Sequence, residues 1–159
     1  MTKKLFWISG IIILAIALFL LVGNGKATAY ENVNNYKGEM TIYKTGSCGC
    51  CGIYSGYFEK KGNSDVKVVN LQSIDALKKE KGIPPALESC HTTIIGDYFV
   101  EGHVPLEAIE KLLQEKPDIK GIAMPGMPDG SPGMPGTKKG DFVIYSVNND
   151  GSYEEWMKI

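Results

Sequence analysis

Three of the four cysteines crowd into four positions, Cys48-Gly49-Cys50-Cys51, between a short apolar run and a helix-like stretch. The fourth, Cys90, adjoins His91. A strand, a cysteine-bearing turn and a helix in that order narrow the fold sharply, because the turn must present thiols at a helix N-terminus. Thiolates are soft ligands, so the cluster favours Cu(I), Zn(II) or redox chemistry over packing.

Around that turn the chain alternates between strand and helix signals. Residues 40–43 are β-prone and are broken by Thr45-Gly46-Ser47. Residues 53–61 set Ile53, Tyr57 and Phe58 on one helical face and end at Gly62. Residues 66–69 predict a second strand. Ser73 then caps a helix running to Lys81, with Asp75 in its first turn and Gly82 closing it. Pro84-Pro85 forces an irregular approach to Cys90-His91. Residues 92–95 and 98–101 make a hairpin about Gly96-Asp97. Pro105 opens a helix with the stripe Leu106, Ile109, Leu112 and Leu113, and Pro117 stops it. Residues 142–147 and 152–157 flank Asn148-Asn149-Asp150-Gly151 as a terminal hairpin.

This order predicts an α/β domain: a thioredoxin-like mixed sheet with flanking helices, a Met/Pro/Gly-rich loop and a C-terminal β-hairpin. Cys48 and Cys51 have the C-x-x-C spacing of the redox motif expected at the first strand-to-helix junction. Cys90-His91-Thr92-Thr93 begins the strand whose leading loop faces that motif in such folds. Cys90 is therefore expected against the Cys48–Cys51 turn.

The N-terminus follows other rules. Lys3 and Lys4 precede residues 5–22, which carry no charge, and Ala27-Thr28-Ala29 follows. That layout predicts either a signal peptide cut before Tyr30 or a retained N-terminal membrane anchor. Either one contacts the membrane and puts the chain beyond Ala29 outside the cytoplasm. The expected organisation is 1–29 targeting segment, 30–38 linker and 39–159 a single domain. Basic and acidic residues number 17 and 18, and no aromatics interleave with a basic patch, so nucleic acid is not an expected partner. There is no Gly-rich phosphate loop and no GxSxG.

Outside the cytoplasm thiols oxidise unless a metal or a dedicated partner holds them. Structural disulfides are one reading, yet at most one of the three clustered cysteines can pair with Cys90. A thiol–disulfide oxidoreductase, with Cys48 attacking and Cys51 resolving, is a second. Cys90 in place of the usual proline, and Cys50 inside the motif, argue against it. A metal site is the third. Zinc fits less well, because Zn sites draw paired cysteines from two separate knuckles. Thiolates bridging several Cu(I) ions suit the crowding better, and copper passing between Cu(I) and Cu(II) would make such a site redox-active. Both histidines, His91 and His103, fall in this neighbourhood, His103 within the turn Gly102-His103-Val104-Pro105. The loop carries Met124, Met127 and Met134, whose thioethers are soft ligands suited to Cu(I).

Several ordered motifs together resemble the CopG-like copper-resistance proteins. They are Lys44-Thr45-Gly46-Ser47-Cys48-Gly49-Cys50-Cys51-Gly52, Ser89-Cys90-His91-Thr92, Val100-Glu101-Gly102-His103-Val104-Pro105, and the run from Pro117 through Met124-Pro125-Gly126-Met127-Pro128 to Met134. The resemblance implies an extracytoplasmic thioredoxin-like domain that binds copper through its cysteines. Carried over by motif, the metal residues are Cys48, Cys50, Cys51, Cys90, His91, His103, Met124 and Met127. A copper exporter or chaperone is the partner such a role implies.

Overall fold

The computed structural model describes residues 29–159. The targeting segment expected before Ala29 lies outside them, and among the described residues no helix is long and apolar enough to cross a membrane. The elements are α1 (Glu31–Asn34), β1 (Met40–Thr45), α2 (Gly49–Lys61), β2 (Lys67–Leu71), α3 (Asp75–Lys81), a 3-10 turn (Pro85–Leu87), β3 (His91–Ile95), β4 (Tyr98–Glu101), α4 (Leu106–Glu115), β5 (Gly121–Ala123), β6 (Val143–Val147) and β7 (Tyr153–Lys158).

All seven strands join one mixed sheet in the order β2-β1-β3-β4-β5-β6-β7. β1 and β2 run parallel, as the intervening α2 crossover requires. β3 is antiparallel to both β1 and β4. These four strands are the thioredoxin-like unit that the order of elements predicts. β5 adds parallel to β4, and β6 and β7 extend the sheet antiparallel. β5 is not foreseen in the sequence. Three residues are too short to show a period, and Gly121 is required there because a Cβ would run into the Phe99 carbonyl.

The main core joins Ile42, Tyr54, Phe58, Val100, Leu106, Ile109, Leu112, Ile122 and Ile144. The stripe foreseen on α4 is buried throughout. Ser73 caps as expected, its Oγ accepting the Asp75 N–H at 3.1 Å.

Two expectations are corrected. The inward stripe of α2 is Cys51, Tyr54, Ser55 and Phe58, and Ile53 stands 65% exposed. The helix begins at Gly49 rather than Ile53, so its phase is set by the cysteine turn. The expected linker, residues 30–38, also contains the short helix α1. Val33 is fully buried, a burial worth about 1.5–3 kcal/mol. Glu110 of α4 accepts from the backbone N–H groups of Asn32 and Val33, supplying the cap that this short helix lacks in its own sequence. Asn63 donates to the carbonyls of Val33 and Tyr36.

Candidate metal centre

The parallel β1–β2 crossover aims the start of α2 at the edge where β3 begins and β4 ends. Cys48 sits at the N-cap position, with Cys50 and Cys51 in the first helical turn. Cys90 arrives from the residue before β3, and His103 from the turn between β4 and α4. Two groups of ligand atoms result among the described residues, each with all its atoms within 4.8 Å of one another: Cys48, Cys50, Cys51 and Cys90; and Cys90, His91 and His103. Cys90 belongs to both.

The first group is all sulfur and half-open. Cys51 is buried, while Cys48, Cys50 and Cys90 are half-buried. Cys48 and Cys51 are joined as a disulfide with Cα atoms 5.4 Å apart. Cys50 Sγ lies 3.5 Å from Cys48 Sγ, and Cys51 Sγ lies 3.6 Å from the Cys90 carbonyl. Cys50 and Cys90 are free thiols.

The second group is drier. His91 and His103 are fully buried. Nδ1 of His103 lies 2.6 Å from the Pro132 carbonyl, which can only accept, so Nδ1 carries the proton. The lone pair of His103 is thereby on Nε2, 3.0 Å from Cys90 Sγ, the tautomer a metal ligand needs. His91 Nδ1 is 3.4 Å from the same sulfur. Tyr54 walls this floor: its ring centroid is 4.4 Å from that of His91 and 5.5 Å from that of His103, and its hydroxyl donates to the Val104 carbonyl.

Burial governs the proton affinities. It pulls His91 down from 6.5 to about 3, with His103, Lys78 and Lys44 adding to the effect. His103 is lowered by burial against the opposing pull of Pro132. The Cys90 thiol is pushed up to about 11, first by burial and then by Cys50. Both imidazoles are thus neutral at physiological pH, and Cys90 is protonated. A soft cation that displaces the Cys90 proton fits this donor set. The Nε2 atom of His91 is buried with no hydrogen-bond partner among the described residues. Such an orphan costs about 1–3 kcal/mol; the nitrogen that faces Cys90 is Nδ1.

The Met/Pro/Gly loop docks on the site rather than standing free. Ser89 Oγ donates to the Gly126 carbonyl at 2.7 Å, and Pro132 holds His103. Gly133, at φ +84°, lies so close to α2 that a Cβ would sit 2.8 Å from Tyr54 N and 2.9 Å from the Cys50 carbonyl. Met124 packs into the main core, whereas Met127 is 52% exposed. Gly102, at φ +82°, makes the turn to His103 where a Cβ would meet the Met124 carbonyl at 2.5 Å. The six cysteines and histidines named in the sequence are brought together; the two methionines are divided between core and surface.

Three residues around the site were not foreseen. Tyr54 is one. Lys78 of α3 and Glu101 of β4 are the others, a buried ion pair at 2.6 Å. The signal for Lys78 was periodic: Ile74, Leu77, Lys78 and Lys81 follow i, i+3, i+4, i+7.

The fold and site define a thioredoxin-like domain whose redox-motif position carries a cysteine cluster backed by two buried histidines. A family model described as "Protein of unknown function, DUF411" matches residues 87–134. Two solved structures of a copper resistance protein CopG match as well. Form 1 is 34% identical, covers 76% of this chain and 96% of its own, and has a TM-score of 0.69. Form 2 is 33% identical, with coverages of 77% and 98% and a TM-score of 0.70. Comparison with curated proteins gave no match. The chain belongs to the CopG copper-resistance protein family.

Proposed function

We propose that this protein binds copper outside the cytoplasm, as part of copper resistance or homeostasis. Cys48, Cys50, Cys51 and Cys90 are the thiolate ligands, with His103 and His91 as nitrogen donors beneath them. The observation that carries the reading is Cys90, a single sulfur shared by an all-sulfur group and a sulfur–imidazole group whose atoms lie within 4.8 Å. A shared, bridging thiolate suits more than one ion, and soft sulfur favours Cu(I). The relatives, named for copper resistance, support the choice of metal.

The Cys48–Cys51 disulfide sets a condition. A dithiol reductant must give this disulfide two electrons and two protons, yielding two thiols and becoming a disulfide itself, before all four sulfurs bind. Ligation then releases those thiol protons, so loading is tighter at higher pH. Tyr54 and the docked loop exclude water from the imidazoles. Met127, exposed on that loop, would be the thioether that meets an incoming ion, while Met124 is committed to the core. A copper exporter or chaperone would be the source or destination of the cargo.

Anaerobic Cu(I) titration of the reduced protein against a chelator of known affinity tests the reading, with bound metal counted by mass spectrometry. Several tightly held ions per chain, reduced in number by Cys50→Ser, are expected. Weak retention would end it. The disulfide at the C-x-x-C position favours one alternative, a thiol–disulfide oxidoreductase using Cys48 and Cys51. Under that reading, turnover of a test disulfide survives Cys50→Ser and copper is not retained.

A further inference from the structure

A buried ion pair is a poor device for stability alone, because well-packed apolar residues of similar volume usually serve as well or better. The Lys78–Glu101 pair is nonetheless almost wholly enclosed, at 3% and 0% exposure. Its hydrogen bonds converge on one short stretch of chain. Lys78 Nζ donates to the Ser89 carbonyl. Glu101 Oε1 accepts the Ser89 N–H at 2.6 Å, and Glu101 Oε2 accepts the Thr92 hydroxyl at 2.5 Å. The residues so held stand immediately before and after Cys90-His91.

Cys90 needs such a hold. The β3 ladder begins at His91, so neither Ser89 nor Cys90 is part of the strand pairing. The ion pair takes both backbone groups of Ser89, doing for Cys90 what strand neighbours do for His91 onward. Glu101 also leads directly into Gly102-His103, and the Gly102 N–H returns to the His91 carbonyl at 2.9 Å. One carboxylate thus ties together the two segments that deliver Cys90, His91 and His103.

We propose that Lys78 and Glu101 are positioning residues for the metal site, holding Cys90 against the two imidazoles in ligating geometry. The proposal rests on the copper reading above and deepens it. Outer partners of this kind are worth about 10–100-fold in metal affinity.

The test uses the full chain, reduced and metal-free, as wild type and as the double variant Lys78→Met/Glu101→Leu, which removes both charges and leaves apolar bulk. Cu(I) affinity is read by chelator competition, and the nitrogen-to-sulfur ligand ratio by X-ray absorption. Thermal unfolding of the metal-free chains is the control. The expected result is cooperative unfolding with affinity lowered about 10–100-fold and the imidazole contribution lost from the copper spectrum. Wild-type affinity and an unchanged nitrogen-to-sulfur ratio in the folded double variant would overturn the positioning role. If the double variant does not fold, Thr92→Val decides, since it removes one arm of the network and is isosteric. A loss of roughly threefold or more with a reduced nitrogen contribution supports the proposal; no change in either overturns it. If wild type itself retains no copper, the copper reading fails, an outcome distinct from wild-type binding that the variants leave intact.

Discussion

The two halves of the centre are built differently although they share Cys90. The upper half, Cys48, Cys50 and Cys51, comes from one turn of chain, is half-open and holds a disulfide. The lower half, His91 and His103 beneath Cys90, comes from two strand ends and is closed to solvent. A local turn can place sulfurs close together whatever the rest of the fold does. An imidazole with a fixed tautomer, as in His103, needs a sheet, a docked loop and a carbonyl at 2.6 Å. Under the proposed function, the upper half is the part that would exchange electrons and ions. The lower half sets geometry.

Removing Cys90 cuts both halves at once and should have the largest effect. We expect Cys90→Ser to lower Cu(I) affinity by more than the roughly 100-fold upper range of outer partners, measured by chelator competition. Cys50→Ser touches only the upper half. It should reduce the copper count per chain while leaving the Cu–N signal of the lower half, a division that X-ray absorption reads directly. Equal losses of nitrogen and sulfur ligands in Cys50→Ser would erase the distinction between the halves.

Gly133→Val attacks the lid of the lower half. A β-branched residue at φ +84°, pressed against α2, is strained and sterically blocked. The loop should lift, His103 should lose the Pro132 acceptor, and Cu(I) affinity should fall about tenfold. Unchanged affinity would show that the loop does not support His103.

The part of the metal-free protein's pH dependence that His91→Gln removes reports the lower half. His91 has an ordinary value of 6.5 and a folded value of about 3. Above pH 6.5 neither state is protonated, and the full stability is present. Between 6.5 and about 3 the unfolded chain takes a proton that the folded chain refuses, so stability falls as pH falls, by up to about 1.4 kcal/mol per pH unit. Denaturant midpoints across this window should show the slope, and His91→Gln should flatten it. The smallest effect on the centre belongs to Val33→Ala. It should cost about 1.5 kcal/mol of folding stability and leave copper affinity unchanged, because α1 supplies no ligand and its hydrogen bonds to α4 are made at Glu110, beyond the turn that carries His103.

Much of this was legible in the chain. The C-x-x-C spacing at a strand-to-helix junction, the α4 stripe and the hairpin turns are local signals, readable from periodicity and turn residues. They were enough to predict the thioredoxin-like unit and to bring Cys90 to the turn. The misses share one cause. Val33 fell in the expected linker, Ile53 was set on the inward face by periodicity and Lys78 was not singled out, yet the burial of each depends on what packs against it. α1 exists because Glu110 caps it. Tyr54 faces inward because α2 starts at the cysteines.

The amino-acid sequence by itself determined which donor atoms this protein offers and that they sit at the mouth of an α/β sheet, because residue type and spacing alone set ligand softness and secondary-structure period. Tertiary structure decided which sulfur is shared, which two are joined, which nitrogen of His103 faces Cys90, and that a buried Lys78–Glu101 pair stands behind them. Those are contacts between segments distant in the chain, settled by burial and hydrogen bonding when the sheet closes.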